Sequence, residues 1–362
     1  MLILILLLVI AGLFGLVQLS NGLPGFRRSG IVAIGVALFF IGLPIAFELG
    51  RISESYQRDI AENQSNRDAE SEDQVGPDQT SRDSETDLQP PISELAAISI
   101  HDCRDPELDL DQRQRDVLAE TGMTRVAMPF GVLLAADERM PVPYVEQAAA
   151  VLAEMLDQNL DGEPDDPALV DLLADHSTAW LAMPVDEEDW ERDQLPKLLR
   201  VLGYDIVIPS WWLDPVPGGP NAHGRAVIVE EIHHFITQFG LSRLHPEIFG
   251  VEDWSSVIAR ETRRAQCDFW QHPENDCPGR RAEYPGDCSD PNCDVVEFYQ
   301  QVVVLRAGME PGWRGIGFPE TAEDLEARLG EEIKAAIDDP AFHQLRRPLR
   351  FDYPVTRVTD SR

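Results

Sequence analysis

The sequence predicts an α+β domain whose C-terminal half is rich in helix, preceded by a hairpin of two transmembrane helices. The first 50 residues hold two apolar stretches without charged side chains, and an acidic polar segment follows them. From about residue 91 the chain shows the strand and helix patterns of a globular domain. We therefore expect a transmembrane hairpin at 1–50, an acidic disordered linker at 51–90 and an extracytoplasmic domain at 91–362.

The two apolar stretches, 1–19 and 31–47, are long enough to span a bilayer, which requires about 20 apolar residues and about 17 at least. No basic residue precedes the first stretch, as one would in a signal peptide, although its removal stays an alternative. Arg27 and Arg28 lie in the connection, which the positive-inside rule places in the cytoplasm. The pattern predicts a protein of a bacterial inner membrane, with the membrane as a partner and the main domain periplasmic or extracellular.

Charge excludes one class of partner. The formal net charge is −34, and no basic patch with interleaved aromatic residues is present, so we expect no nucleic acid to bind. The segment 53–89 is polar and acidic, has almost no large apolar side chains and cannot bury enough surface to fold alone.

Cysteine usage agrees with an oxidising compartment. Cys267 and Cys277 flank one short segment, and Cys288 and Cys293 flank another, so two local disulfides with Cys103 left over are the simplest pairing. Spacing alone does not fix the connectivity. The pair at 288 and 293 could instead supply zinc thiolates, but no second close pair accompanies it.

The domain begins with a buried strand over 124–137, followed by helices over 143–160 and 166–176, the second with Asp166 as its N-cap. The segment 198–212 ends in a strand. The remaining pattern is helical, with expected helices at about 225–239, 251–269, 293–309 and 321–339. Gly240 is expected to end the first of these as a C-cap residue.

Between the first two helices, oxygen-bearing side chains recur before Gly162, at Asp157, Asn159, Asp161 and Asp165. Calcium is bound by six to eight oxygen ligands, and the spacing resembles the first half of an EF-hand loop. The twelfth position holds Ala168 where that loop has a bidentate glutamate. The loop therefore predicts either a calcium site or an acidic turn that joins two helices.

The segment 226-AVIVEEIHHFITQFG-240 places four ionisable residues in an apolar helical run. Burying them is costly unless they are paired or bind a metal. Glu230 and His234 are four residues apart and share a helix face, and Glu231 lies three residues before His234. His233 lies on a different face, where a structural role is the simpler interpretation.

This stretch resembles the His-Glu-x-x-His motif of the zincin metallopeptidases, with glutamate in place of the first histidine. The resemblance implies that Glu230 and His234 bind a metal, that Glu297 on a later helix is the third ligand, and that Glu231 is the general base. The segments EEIHH, CSDPNC and VVEFY are also similar to uncharacterised secreted bacterial proteins over residues 95–355. The resemblance implies a zincin-like α+β domain that hydrolyses a peptide or protein substrate, as a peptidase or amidase.

Several alternatives stay open from the residues themselves. Two carboxylates and one imidazole suit zinc, but manganese or iron becomes more plausible as carboxylates replace histidines. Glu297 could instead pair with Arg306 or Arg314, and the third ligand could be His223, His245 or His272.

The overlapping Glu-x-x-His spacings are those of di-iron bundles, but no second helix carries one. Tyr299 or His223 could stabilise an oxyanion. Finally, the domain could be an inactive zincin-like envelope domain that acts in binding or scaffolding.

Overall fold

The computed structural model of the protein describes residues 95–270, 291–315 and 317–357, all within the unit Thr86–Arg362. Strands of these residues form one six-stranded sheet in the order β5-β4-β3-β2-β1-β6. Only β2 runs antiparallel to its neighbours, because β1–β6, β3–β4 and β4–β5 are parallel pairs. The strands are β1 Ile98–Asp102, β2 Arg125–Ala127, β3 Leu134–Ala136, β4 Ala179–Met183, β5 Tyr204–Val207 and β6 Val355–Arg357.

Helices occupy the connections between the strands. They are α1 Gln112–Thr121, α2 Val142–Leu156, α3 Pro167–Leu173, α4 Glu187–Asp189, α5 Ser210–Leu213, α6 Ala222–Phe235, α7 Pro246–Phe249, α8 Val257–Gln266, α9 Pro291–Arg306, α10 Ala322–Arg328 and α11 Glu331–Asp338. The helix that begins with α4 continues through a π-helical segment, Trp190–Gln194, into Leu195–Leu198.

The predicted α+β, zincin-like fold class is wrong. The domain is α/β, because strands of a mixed sheet alternate along the chain with helices, and β6 brings the chain back to the sheet after a long helical stretch. The predicted strand at 124–137 is two short antiparallel strands, β2 and β3, with a 3₁₀ turn at Pro129–Gly131 between them. Strands of three to five residues carry too little alternation to be detected, and β1, β4 and β6 were missed for this reason.

Side chains of the strands alternate between two apolar layers. Trp180 and Ala182 of β4 face one layer with α1, whereas Leu181 and Met183 face the other layer with α2 and α6. The second layer is the larger, and it extends through α8 and α9. Helix α6 contacts β4, β5, α2 and α9, so its side chains are buried on several sides. This explains how a helix with four ionisable residues comes to lie in the core.

Both ends of α6 have identifiable causes. Asn221 is its N-cap and accepts a hydrogen bond from the Gly224 N–H. The helix does not end at Gly240, so the prediction of a C-cap there is wrong: it continues as a π-helical segment, Ile236–Leu241, and as Ser242–Leu244. Gly240 is needed for packing, because a Cβ there would overlap the side chain of Leu169 on α3. The predicted N-cap at Asp166 is confirmed.

The predicted hairpin at 1–50 and linker at 51–90 lie outside the described residues. Among the residues that the structure describes, no helix combines the length and the apolar character that crossing a membrane requires.

Candidate metal centre

The packing of α6 against α9 brings three of the predicted site residues together. Glu230 and His234 lie one turn apart on α6, and Glu297 lies on α9. Each offers one ligand atom, and these three atoms lie within 4.8 Å of one another. The residues are separated by up to 67 positions in the chain (297 − 230), so only the tertiary structure could establish this proximity.

Each ring nitrogen of His234 lies close to a different glutamate. Its Nε2 is 3.6 Å from Glu297 Oε2, and its Nδ1 is 3.4 Å from Glu231 Oε2. The Nε2 atom is buried and forms no hydrogen bond, which is uncommon for a polar atom in a protein interior. Burial lowers the pKa of His234, with the Glu297 carboxylate opposing this in part. The imidazole is therefore neutral, which is the form that ligates metals.

Glu230 is the most deeply buried acid of the group, with only 7% of its surface exposed. Burial raises the pKa of Glu230 well above its usual value, and the nearby Glu231 raises it further. No arginine or lysine among the described residues forms an ion pair with it. A cation placed between Glu230, His234 and Glu297 would reverse this effect by favouring the ionised carboxylate.

Gly312, in the loop that follows α9, closes the site over Glu230. A Cβ at this position would overlap Glu230 Oε2 and would lie 3.0 Å from the carbonyl carbon of Ala226. Only glycine leaves room for the carboxylate and the α6 backbone together. Gly312 could not be singled out from the sequence, because Pro-Gly in a loop indicates only a turn.

The neighbouring histidine, His233, points away from the three ligands. Its ring lies 5.5 Å from that of Tyr299, and its Nδ1 is 3.4 Å from Thr237 Oγ1. Burial, with a contribution from His234, lowers the pKa of His233 to about 3, so it is neutral at physiological pH. Tyr299 donates a hydrogen bond from its hydroxyl group to Gln344 Oε1 at 2.7 Å. The hydroxyl group that was considered for stabilising an oxyanion is therefore already hydrogen-bonded.

The alternative partners of these residues are engaged elsewhere. Arg306 pairs with Glu326 and Asp338, and Arg314 pairs with Glu310. His223 contacts the carbonyl of Trp212 at 3.0 Å, and the ring of His245 packs against Phe249 and Phe342. His272 lies outside the described residues.

The loop at 157 has a structural explanation in hydrogen bonds. Asp157 is fully buried, and its carboxylate accepts hydrogen bonds from the N–H groups of Asp161 and Gly162 and from the Tyr353 hydroxyl. Asn159 and Asp161 likewise accept backbone N–H groups of the loop, and Asp165 accepts that of Gln158. Burial raises the pKa of Asp165. Calcium binding by Asp157, Asn159, Asp161 and Asp165 stays a prediction, and the side-chain oxygens of these residues already accept hydrogen bonds within the turn.

The described cysteines are one free thiol and two residues that form disulfide bonds. Cys103 is a buried free thiol, and burial raises its pKa to about 11. Cys267 and Cys293 are each disulfide-bonded. Cys277 and Cys288 lie outside the described residues, so the predicted connectivity stays a prediction.

A second group of metal-ligating residue types was not anticipated from the sequence. His101, Asp105 and Glu107 offer ligand atoms within 4.8 Å of one another near the surface. Here His101 Nδ1 lies 2.8 Å from Asp105 Oδ2, so the two form a hydrogen-bonded pair. This pairing distinguishes the surface group from the buried centre, where His234 Nε2 has no hydrogen bond.

Comparison with known proteins adds no relative. No family model matches the chain, and neither a curated protein nor a solved structure matches it.

Proposed function

We propose that Glu230, His234 and Glu297 bind a divalent transition metal ion, and that the domain is a metal-dependent hydrolase of peptide or amide bonds. The observation that supports this most directly is the buried His234 Nε2, which makes no hydrogen bond and faces two acids. Leaving such an atom unsatisfied costs about 1–3 kcal/mol. A bound cation would remove that cost and would also offset the desolvation of Glu230.

The donor set suits a catalytic ion. Catalytic zinc sites have three protein ligands and keep a further position open, whereas structural zinc sites have four. Two carboxylates and one imidazole can bind zinc, manganese or iron(II). As oxygen ligands replace nitrogen ligands, the preference of the site moves from zinc towards manganese and iron. Such an ion supplies Lewis acidity, which polarises a water molecule or a scissile carbonyl.

Glu231 has one role that the geometry supports and a second that only the resemblance to the motif implies. Its Oε2 lies 3.4 Å from His234 Nδ1, where a carboxylate holds the imidazole in the tautomer that turns Nε2 towards a metal. It also lies on the turn of α6 that carries the ligands, as does the general base in the His-Glu-x-x-His motif that the segment resembles. The first role positions a ligand, and the second role transfers a proton.

The test of metal binding is elemental mass spectrometry of the purified full-length chain. We expect a near-stoichiometric transition metal in the wild type and none in Glu230→Ala, His234→Ala or Glu297→Ala. The matched control is Glu261→Gln, a buried glutamate that pairs with Arg264 away from the centre and should retain the metal. A folded wild type that binds no zinc, manganese or iron after incubation would overturn the proposal.

A second candidate function, metal binding without catalysis, is favoured by the contact of Glu231 with His234. The variant Glu231→Gln separates the two. If the domain is a hydrolase, the metal-loaded wild type should cleave members of a peptide and amide library, and Glu231→Gln should lose this cleavage while retaining metal. No turnover by the loaded wild type would leave a binding or scaffolding domain.

A further inference from the structure

Gln300 presents an anomaly in the interior of the domain. It is fully buried on α9, and neither its amide oxygen nor its amide nitrogen forms a hydrogen bond. A glutamine side chain can make up to four hydrogen bonds, so an amide with none is a costly feature in a protein core. Buried polar groups of this kind are commonly satisfied by an ordered water molecule or a ligand.

The position of Gln300 connects it to the metal centre. It follows Glu297 by three residues, and residues three apart on an α-helix are neighbours on its surface, with Cβ atoms about 5–6 Å apart. The buried atoms without hydrogen bonds on the two facing helices include the Gln300 amide on α9 and His234 Nε2 on α6. Glu297 is the proposed ligand nearest to Gln300 along α9, and its carboxylate lies 3.6 Å from His234 Nε2.

The adjacent glutamine on the same helix, Gln301, is engaged through its amide oxygen, although its Nε2 also lacks a hydrogen bond. Gln301 Oε1 accepts hydrogen bonds from Trp270 Nε1 at 3.3 Å and from the Gly315 N–H at 3.0 Å. It holds the loop after α9 in place. Gln300 has no such task, so a structural explanation that accounts for one amide does not extend to the other.

We infer that Gln300 is a fourth protein group of the metal centre, a positioning residue whose amide holds a water molecule beside the ion. This inference rests on the proposed metal site. A neutral amide suits the position, because the carboxylates of Glu230 and Glu297 already balance a divalent cation and a third buried charge would be uncompensated. An additional oxygen donor also favours manganese or iron(II) over zinc.

The test uses Gln300→Met, which keeps the length of the side chain but has no amide, in the full-length chain. Metal affinity is measured by competition with a chelator, the ligand field by the visible spectrum of the cobalt(II)-loaded protein, and stability by urea unfolding after chelator treatment. We expect affinity to fall about 10- to 100-fold and the cobalt spectrum to shift. Metal-free stability should be unchanged or higher, because no hydrogen bond within the protein is lost.

The matched control is Gln344→Met, because Gln344 is a buried glutamine whose amide oxygen accepts the Tyr299 hydroxyl. It should lower metal-free stability and leave the cobalt spectrum unchanged. A second variant, Gln300→Glu, adds a carboxylate that is uncompensated without a cation, so it should lower metal-free stability while its attraction to the ion raises the affinity for manganese(II). Wild-type affinity and cobalt spectrum in Gln300→Met, or unchanged manganese affinity in a folded Gln300→Glu, would overturn the inference. Absence of metal binding by the wild type would instead overturn the proposed function.

Discussion

Two buried glutamates of this domain, Glu154 on α2 and Glu230 on α6, lie on helices in contact and have opposite surroundings. The Glu154 carboxylate accepts hydrogen bonds from the backbone N–H groups of Arg350 and Phe351 and from Arg347 Nη1, at 2.7 to 3.2 Å. Glu230 is surrounded by two other acids, Glu231 and Glu297, a neutral histidine and the backbone near Gly312. The first carboxylate is fully hydrogen-bonded within the protein, whereas the second has the surroundings from which we propose a bound cation.

Asp137 supports the same distinction. Burial alone would raise its pKa, but hydrogen bonds from Arg139 and Gln194 outweigh that effect and keep the pKa of Asp137 below its ordinary value. At Glu230 nothing opposes burial, and the pKa is raised. The domain thus provides hydrogen-bond donors for Glu154 and Asp137, whereas no donor to Glu230 is found among the residues that the structure describes. The following experiments test this difference.

The largest expected effect is at Glu154. Glu154→Leu should lower the free energy of unfolding by about 3–5 kcal/mol, because it leaves two backbone N–H groups and an arginine without their acceptor. Urea unfolding followed by circular dichroism measures it. A loss below about 1 kcal/mol would show that the C-terminal segment 347–351 does not depend on this anchor.

The same measurement should give the opposite sign at Glu230. In chelator-treated protein at neutral pH, Glu230→Gln should leave the free energy of unfolding unchanged or raise it by about 1–3 kcal/mol, since it removes a desolvated charge and breaks no ion pair. If this variant lost as much stability as Glu154→Leu, Glu230 would have a structural partner and the comparison would fail.

The pH dependence of stability should also differ in sign between Asp137 and Glu230. The folded pKa of Asp137 is lowered, so its contribution is present above the unfolded pKa of about 3.9 and is lost as pH falls through the folded value. The folded pKa of Glu230 is raised, so in metal-free protein its contribution is present below the unfolded pKa of about 4.3 and is lost as pH rises through the folded value.

Urea unfolding of the metal-free wild type, Asp137→Asn and Glu230→Gln from pH 3 to 8 tests these signs. Relative to the wild type, Asp137→Asn should become less destabilising towards low pH, and Glu230→Gln should become more stabilising towards high pH. Parallel curves for Glu230→Gln and the wild type would contradict the raised pKa of Glu230.

The smallest effect, on metal affinity, is expected for a substitution at Gly312. Gly312→Ala should displace the Glu230 carboxylate and weaken metal binding about tenfold, within the range seen for residues that support metal ligands. Gly330→Ala is the matched control, because its Cβ would meet the Glu261 carboxylate at 2.8 Å, away from the centre. Isothermal titration calorimetry with manganese(II) should detect a loss in the first variant only. Equal losses would indicate a general effect on packing.

Sequence reasoning selected the residues of the candidate site better than it predicted the fold. Glu230, His234 and Glu297 could be selected because each is an ionisable residue in an apolar helical run, where burial needs a reason. The contact between Glu231 and His234 Nδ1 follows from helix geometry, yet the side of the ring on which the acid lies does not. Gln300 and Gly312 were missed because one buried amide and one loop glycine have no distinguishing pattern.

The sequence by itself determined the long helices, the N-cap at Asp166 and the identity of the ionisable residues on α6, because these depend on local periodicity and capping chemistry. Only the tertiary structure decided the α/β fold class and the order of the sheet, since its strands are short and pair across distant segments. It also decided which buried acids receive hydrogen bonds. Glu154 and Glu230 are the same residue type on neighbouring helices, and only the chain segments packed against them make one an anchor and the other a candidate metal ligand.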